Sequence, residues 1–333
     1  MWMCWPCLQR AAMTDRLRLR LRASLRLLIS AALLLGLVWL LDPLEVWASW
    51  QAARIALDPW WLAPALLMVL PQLVLSAWRW RFTAGRLGMA LPMRRALGEY
   101  YLASFINQVL PGGVAGDLGR AWRHARWQQA GAAAWHAVLI ERLSGQLAMI
   151  LLAVLGVAAS PALRAAVIEH GVTTSAGSAL LLLVLLGGAV WGWARMGSRL
   201  RAFGRDLKLA LIQPDVLAVQ LVLSLLLAAS YVLVFVCCAR AIGVARPLAE
   251  LLPLLPPVLL AMALPLTMAG WGVREGAAAG VWLLAGLPPA EGLAVSLVYG
   301  VVVLLSSVPG GLLLLRRGGV LAAQAGEALP PRR

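Results

Sequence analysis

The chain has 333 residues, of which 62% are hydrophobic and only 13% charged, and its mean hydropathy is +0.83. A soluble domain covers its surface with roughly 25% charged residues, so this composition excludes a soluble globular fold and implies an all-α polytopic membrane protein. The formal charge is +15, from 29 Lys and Arg against 14 Asp and Glu; beside such hydrophobicity it sets basic residues against an anionic membrane face rather than on nucleic acid.

In chain order, residues 1–24 form an Arg-rich tail, and its Cys4-x-x-Cys7 pair lies outside any βαβ pattern and carries no expected function. A hydrocarbon core about 30 Å thick needs around 20 apolar residues per helix. That rule predicts spans at 25–41, 59–78, 134–158, 177–194, 216–239 and 291–315. The first stretch exceeds a signal-peptide core, and Asp42-Pro43-Leu44 after it offers no small-residue cleavage site, so it is expected to remain as an anchor. Two further apolar segments differ. Residues 96–116 are interrupted by Glu99, Asn107, Gln108 and the breaker Pro111-Gly112-Gly113, with Gly116 following. Residues 249–272 carry Pro253, Pro256, Pro257 and Pro265, then Gly270 and Gly272. Proline removes a donor and clashes with the preceding turn, so both segments are predicted to break, and broken backbone at membrane depth survives only against protein or a wet cavity.

If both broken segments enter and leave on one side, the Arg clusters at 10–26, 79–95, 120–126, 195–208 and 316–333 share the cytoplasmic face with both termini. Arg54, Arg164, Arg240, Arg246 and Arg274 are then external, as the positive-inside rule favours. The eight segments fall into two sets of four at offsets of 152 to 157 residues: a first repeat at 25–158, an external loop at 159–176, a second repeat at 177–317 and a tail at 318–333. Leu110-Pro111, Ala115-Gly116 and Arg120 recur as Leu264-Pro265, Ala269-Gly270 and Arg274, each 154 residues on. Three crossings per set turn the second half upside down, the inverted-repeat build of many secondary transporters.

Ionisable residues inside a span cost at least ~2.5–3.5 kcal/mol on insertion scales and face a cavity or a partner. Glu141 and Arg142 lie inside the fourth segment and point about 100° apart, so each is expected to find a separate partner. For Arg142 two readings stand: a cavity-facing cation for a lipid phosphate, or an ion pair with Glu99 or Asp117. Glu141 is either a proton-coupled carboxylate or a structural partner. Asp117 and Arg120 follow the Gly-rich break, where a helix start either binds an anion or is capped by its own first-turn acid. Arg274 and Glu275 hold the equivalent slot in the second half, and Asn107 either satisfies broken backbone or touches a headgroup. His124, His136 and His170 lack ligand spacing, so no metal is expected; no nucleotide-binding or nucleophile motif occurs, and no cofactor is expected. The Trp residues, among them Trp39, Trp47, Trp60, Trp61, Trp78 and Trp80, read as interfacial anchors.

Arg79-Trp80, Tyr100, Phe105-x-Asn107, Leu110-Pro111-Gly112, Gly116-Asp117-x-x-Arg120, Glu141-Arg142-x-x-Gly145, Gly270-x-Gly272-Val273-Arg274-Glu275 and Pro309-Gly310 together resemble the lysylphosphatidylglycerol synthase transmembrane region, also called the flippase-like family, over about residues 25–317. Ala115 departs from the Gly that the family more often carries there. The resemblance implies a bacterial inner-membrane protein that moves a phospholipid between leaflets. It also implies that aminoacyl transfer belongs to a separate soluble domain, which the short tail ending at Arg333 does not supply, so the chain itself is not expected to be an enzyme. The expected ligand is an anionic phospholipid or a polyprenyl-linked lipid, met by Arg120, Arg142, Arg274 and Asn107. A role presenting lipid to a separately encoded aminoacyl- or glycosyltransferase, and a purely structural role, are the alternatives. Neither the lipid nor the oligomeric state is legible.

Overall fold

A computed structural model describes residues 28, 31–41, 43–44, 46–48, 51, 57–110, 113–169, 197–262, 267 and 269–327, with side chains as far as 313. The predicted span 177–194, with Pro111, Gly112, Pro265 and both tails up to 24 and beyond 327, lies outside the described residues. Within them the chain is helical: α1 (Ala31–Leu40), α2 (Pro59–Arg86), α3 (Met93–Val109), α4 (Ala115–Gln128), α5 (Ala132–Ala159), α6 (Gly197–Leu207), α7 (Pro214–Ala241), α8 (Leu248–Ala261), α9 (Val273–Leu284) and α10 (Pro289–Glu327). A short helix follows α5 at 161–169. Helices α2, α5, α7 and the Pro289–Leu313 part of α10 are long and apolar enough to cross a membrane; α1 and α8 are shorter apolar helices. The protein is therefore an all-helical membrane protein.

Local sequence sets the ends. Asp58 caps α2 by accepting the Trp60 amide at 2.9 Å, and Pro59 takes the first helical position, where its missing donor costs nothing. The long helices run beyond their predicted limits, α2 by eight residues to Arg86 and α10 by twelve to Glu327, because polar ends such as Arg79–Arg86 stay helical outside the apolar stretch. Outward faces carry Leu66, Leu70, Leu147, Val154, Leu221, Leu226, Leu305 and Leu312, exposed as a lipid-facing surface requires.

Both broken segments are helix–break–helix hairpins whose arms pack together, α3 on α4 and α8 on α9. The breaks do not fall on every expected residue. In the second segment Pro253 sits in a 3₁₀ turn (Leu252–Leu254), and Pro256 and Pro257 open the α-helical turn after it, so all three are absorbed within α8. Each proline stands in the first turn of its segment, where its missing donor is not called on by that segment. The chain departs from helix only beyond Met262, where Ala269, Gly270 and Gly272 all take positive φ. Ala115, in contrast, simply begins α4 with helical backbone, so the methyl that departs from the family pattern is accommodated.

The helices interlock across the two halves. Helix α2 lies along α7; α3 packs on α10, and α8 packs on α5. At the last two contacts glycine lets backbones touch. A methyl at Gly156 of α5 would lie 2.7 Å from the Pro253 carbonyl oxygen of α8, and one at Gly310 of α10 would collide with the Tyr101 backbone of α3. Gly156 and Gly310 are 154 residues apart, and Tyr101 and Pro253 are 152 apart.

Candidate functional site

The first hairpin builds a buried ion cluster with α2 and α5. Gly116 permits it: a methyl there would run into the Ala103 backbone, so α4 can start hard against α3 only at glycine. Asn107 ties the break together, its Oδ1 accepting the Gly116 amide at 2.7 Å and its Nδ2 donating to Asp117 at 2.8 Å. Asn107 thus satisfies broken backbone, one of its two predicted roles.

Asp117, in the first turn of α4, accepts from Arg120 Nε at 2.9 Å and also from Arg142 of α5. Arg120 is 0% exposed; its Nη2 donates to Glu141 at 2.6 Å, and its guanidinium lies over the rings of Tyr100 (4.4 Å) and Trp80 (4.7 Å). Glu141 and Arg142 do point apart and pair separately. Arg142 keeps 40% of its side chain exposed, and its Nε has no acceptor among the described residues. Glu99, one of Arg142's candidate partners, instead pairs with Arg123 at 2.5 Å.

Two further members, Arg79 and Trp80, stand out in the sequence only among the residues that carry the family resemblance. The charge pattern places Arg79 in a cytoplasmic cluster, yet it is buried in α2, donating to the Glu141 carbonyl at 2.7 Å and Ser144 Oγ at 2.6 Å. Trp80 has the position of an interfacial anchor in the sequence, yet it is fully buried beneath Arg120. The available signal was a polar stripe on an apolar helix, since Gln72, Ser76, Arg79 and Thr83 recur at helical spacing and are all buried. The stripe meets Gln220 and Ser224 of α7, with Gln220 donating to Thr83 at 2.9 Å. Gln72 Nε2, Gln220 Oε1 and Ser224 Oγ have no protein partner among the described residues, which gives the α2–α7 contact a polar seam between the halves.

The second hairpin holds a separate pair. Arg274 donates to Glu275 and, at 2.9 Å, to Ser296 of α10; Glu275 also accepts the Gly272 amide at 2.6 Å. Both residues are buried, and Arg274 lies over Trp271 (5.1 Å) and Tyr299 (5.4 Å). The structure thus brings Asn107, Asp117, Arg120, Glu141 and Arg142 together, and holds Arg274 with Glu275 apart from them. Among the described residues no group of three or more His, Cys, Asp or Glu is arranged to hold a metal.

This arrangement of a Gly-Asp hairpin start, an Arg three residues on and a Glu-Arg pair on the next helix coincides with a family model described as lysylphosphatidylglycerol synthase TM region, which matches residues 24–310. The chain belongs to this family. Comparisons with curated proteins and with solved structures return no match. The match of this lysylphosphatidylglycerol synthase TM region protein spans both hairpins and both buried arginine clusters.

Proposed function

We propose that this protein moves an anionic lipid between membrane leaflets, with Arg142 meeting the headgroup phosphate. The observation that carries the reading is the state of Arg142: a guanidinium held on a membrane-spanning helix by Asp117, 40% exposed, with an Nε that has no acceptor among the described residues. Arg79, Arg120 and Arg142 outnumber Asp117 and Glu141, so the cluster carries spare positive charge. A planar fork with free donors suits a phosphate. Arg120 and Arg274, already paired with carboxylates, serve in this reading as positioning residues that hold each hairpin to its partner helix. Asn107 plays the same part at the first break.

The path we infer runs between two inverted sets of four segments, six full spans and two re-entrant hairpins, in a bacterial inner membrane with both termini cytoplasmic. The corresponding α3–α10 and α5–α8 contacts and the polar α2–α7 seam support that arrangement, since transporter sites form at the interface of such halves. Aminoacyl transfer is not part of this proposal.

The test is reconstitution into liposomes containing a labelled anionic phospholipid or a labelled lipid-linked sugar. The protein is expected to accelerate leaflet exchange, and Arg142→Gln to slow it by about tenfold or more, the cost of one lost charge-assisted contact. No acceleration with any native lipid class, or an Arg142→Gln variant as fast as the parent, overturns the reading.

A further inference from the structure

Farther along the first hairpin, toward its open end, lies a second basic site that lipid movement through Arg142 does not use. A cavity of about 520 Å³ sits between the start of α3 and the second half of α4, walled by Arg95, Glu99, Trp122, Arg123, Arg126 and Trp127. Helical spacing assembles it. Arg95 and Glu99 are four apart on α3, while Arg123 stands three before Arg126 and four before Trp127 on α4, so each set shares a face.

Arg95 lies over the Trp127 ring at 3.9 Å and Arg126 over Trp122 at 5.0 Å. Those ring faces steady the guanidiniums without neutralising them. Arg123 spends its Nε on Glu99, while its Nη2 is buried without an acceptor among the described residues. The same holds for the indole N–H of fully buried Trp80, which also lines the cavity. Three guanidiniums therefore face one carboxylate among the described lining residues, with N–H donors to spare. Trp80 stands between this cavity and Arg120, whose guanidinium it covers, so the two cationic sites are distinct.

We propose that this cavity binds a phosphate carrying two negative charges, a phosphomonoester or a diphosphate, presented as a lipid headgroup or free in solution. The excess of two positive charges matches a dianion better than a singly charged phosphodiester. Guanidinium forks give phosphate bidentate hydrogen bonds, and the volume lies within the ~300–1,000 Å³ of small-ligand sites. The proposal needs neither transport nor Arg142.

The test uses the full chain in phosphatidylcholine nanodiscs. One arm titrates pyrophosphate calorimetrically; the other adds dioleoyl phosphatidic acid or phosphatidylglycerol to the disc and counts retained lipid by native mass spectrometry. Arg95→Gln with Arg126→Gln breaks no ion pair among the described residues. This variant is expected to weaken binding about tenfold or more, with phosphatidic acid retained in preference to phosphatidylglycerol in the parent. Arg199→Gln with Arg201→Gln removes the same charge from exposed positions on α6 and is expected to change binding less than about twofold. Weakening in both arms supports a site that takes either source; weakening of the lipid arm alone assigns the headgroup, and of the pyrophosphate arm alone the free anion. Absence of binding in the parent, no weakening in the α3–α4 variant, or equal weakening in the α6 variant overturns the proposal. Arg142→Gln is expected to bind pyrophosphate as the parent does, so a variant that loses transport and keeps that binding separates this site from the translocation reading.

Discussion

The two hairpins each bury an arginine between a Trp and a Tyr ring, Arg120 by Trp80 and Tyr100, Arg274 by Trp271 and Tyr299. Their surroundings differ. Arg120 shares two carboxylates with two further arginines, one of them 40% exposed, whereas Arg274 has Glu275 and Ser296 in a closed pair with no spare charge. A matched, sealed pair can only hold helices together. An unmatched cluster with one open member can also receive a ligand. The contrast is what places the proposed ligand contact in the first hairpin rather than the second, although the same short motif builds both.

The largest expected effect comes from removing Glu275. Glu275→Gln leaves Arg274 buried with no carboxylate among its described partners, a loss of about 3–5 kcal/mol, read as thermal unfolding in detergent. Adding Arg274→Met is expected to recover most of that loss, because the orphaned charge goes too. Glu141→Gln is expected to cost less, since Arg120 keeps Asp117; an equal or greater loss would erase the distinction between the clusters.

A smaller and more even effect is expected at the two glycine contacts. Gly156→Ala and Gly310→Ala should each destabilise by about 1–3 kcal/mol through overpacking. The same assay checks them, and a loss at only one would break the proposed correspondence between the halves. The smallest effect on stability is expected from Arg142→Gln, under about 1 kcal/mol, because the side chain is partly exposed and Asp117 retains Arg120 and Asn107. That variant sharpens the comparison when transport falls and unfolding does not.

Much of the site was legible in the sequence because its members sit next to breaks or inside apolar runs, where a charge stands out. Asn107, Asp117, Arg120, Glu141 and Arg142 all drew notice for that reason. Arg79 shows only through the family resemblance, because it stands at the end of an apolar stretch beside Arg81, where a surface charge looks the same in one dimension. Trp80 was obscured likewise, since a tryptophan near a span end is an anchor unless a neighbouring helix covers it. Pro253, Pro256 and Pro257 point in the other direction: proline marks a weak point in a helix, but Pro253 falls in a 3₁₀ turn and Pro256 and Pro257 open the helical turn after it.

Hydropathy and Gly-Pro punctuation are local properties, so the sequence alone determined membrane residence, the long helices and the existence of two interruptions. Which charge meets which partner is decided by helices distant in the chain, as when α5 supplies Glu141 to Arg120 and leaves Arg142 half open. Only the packed fold settles that, because the cost of a buried charge depends on what lies within a few ångströms of it rather than on its neighbours along the chain.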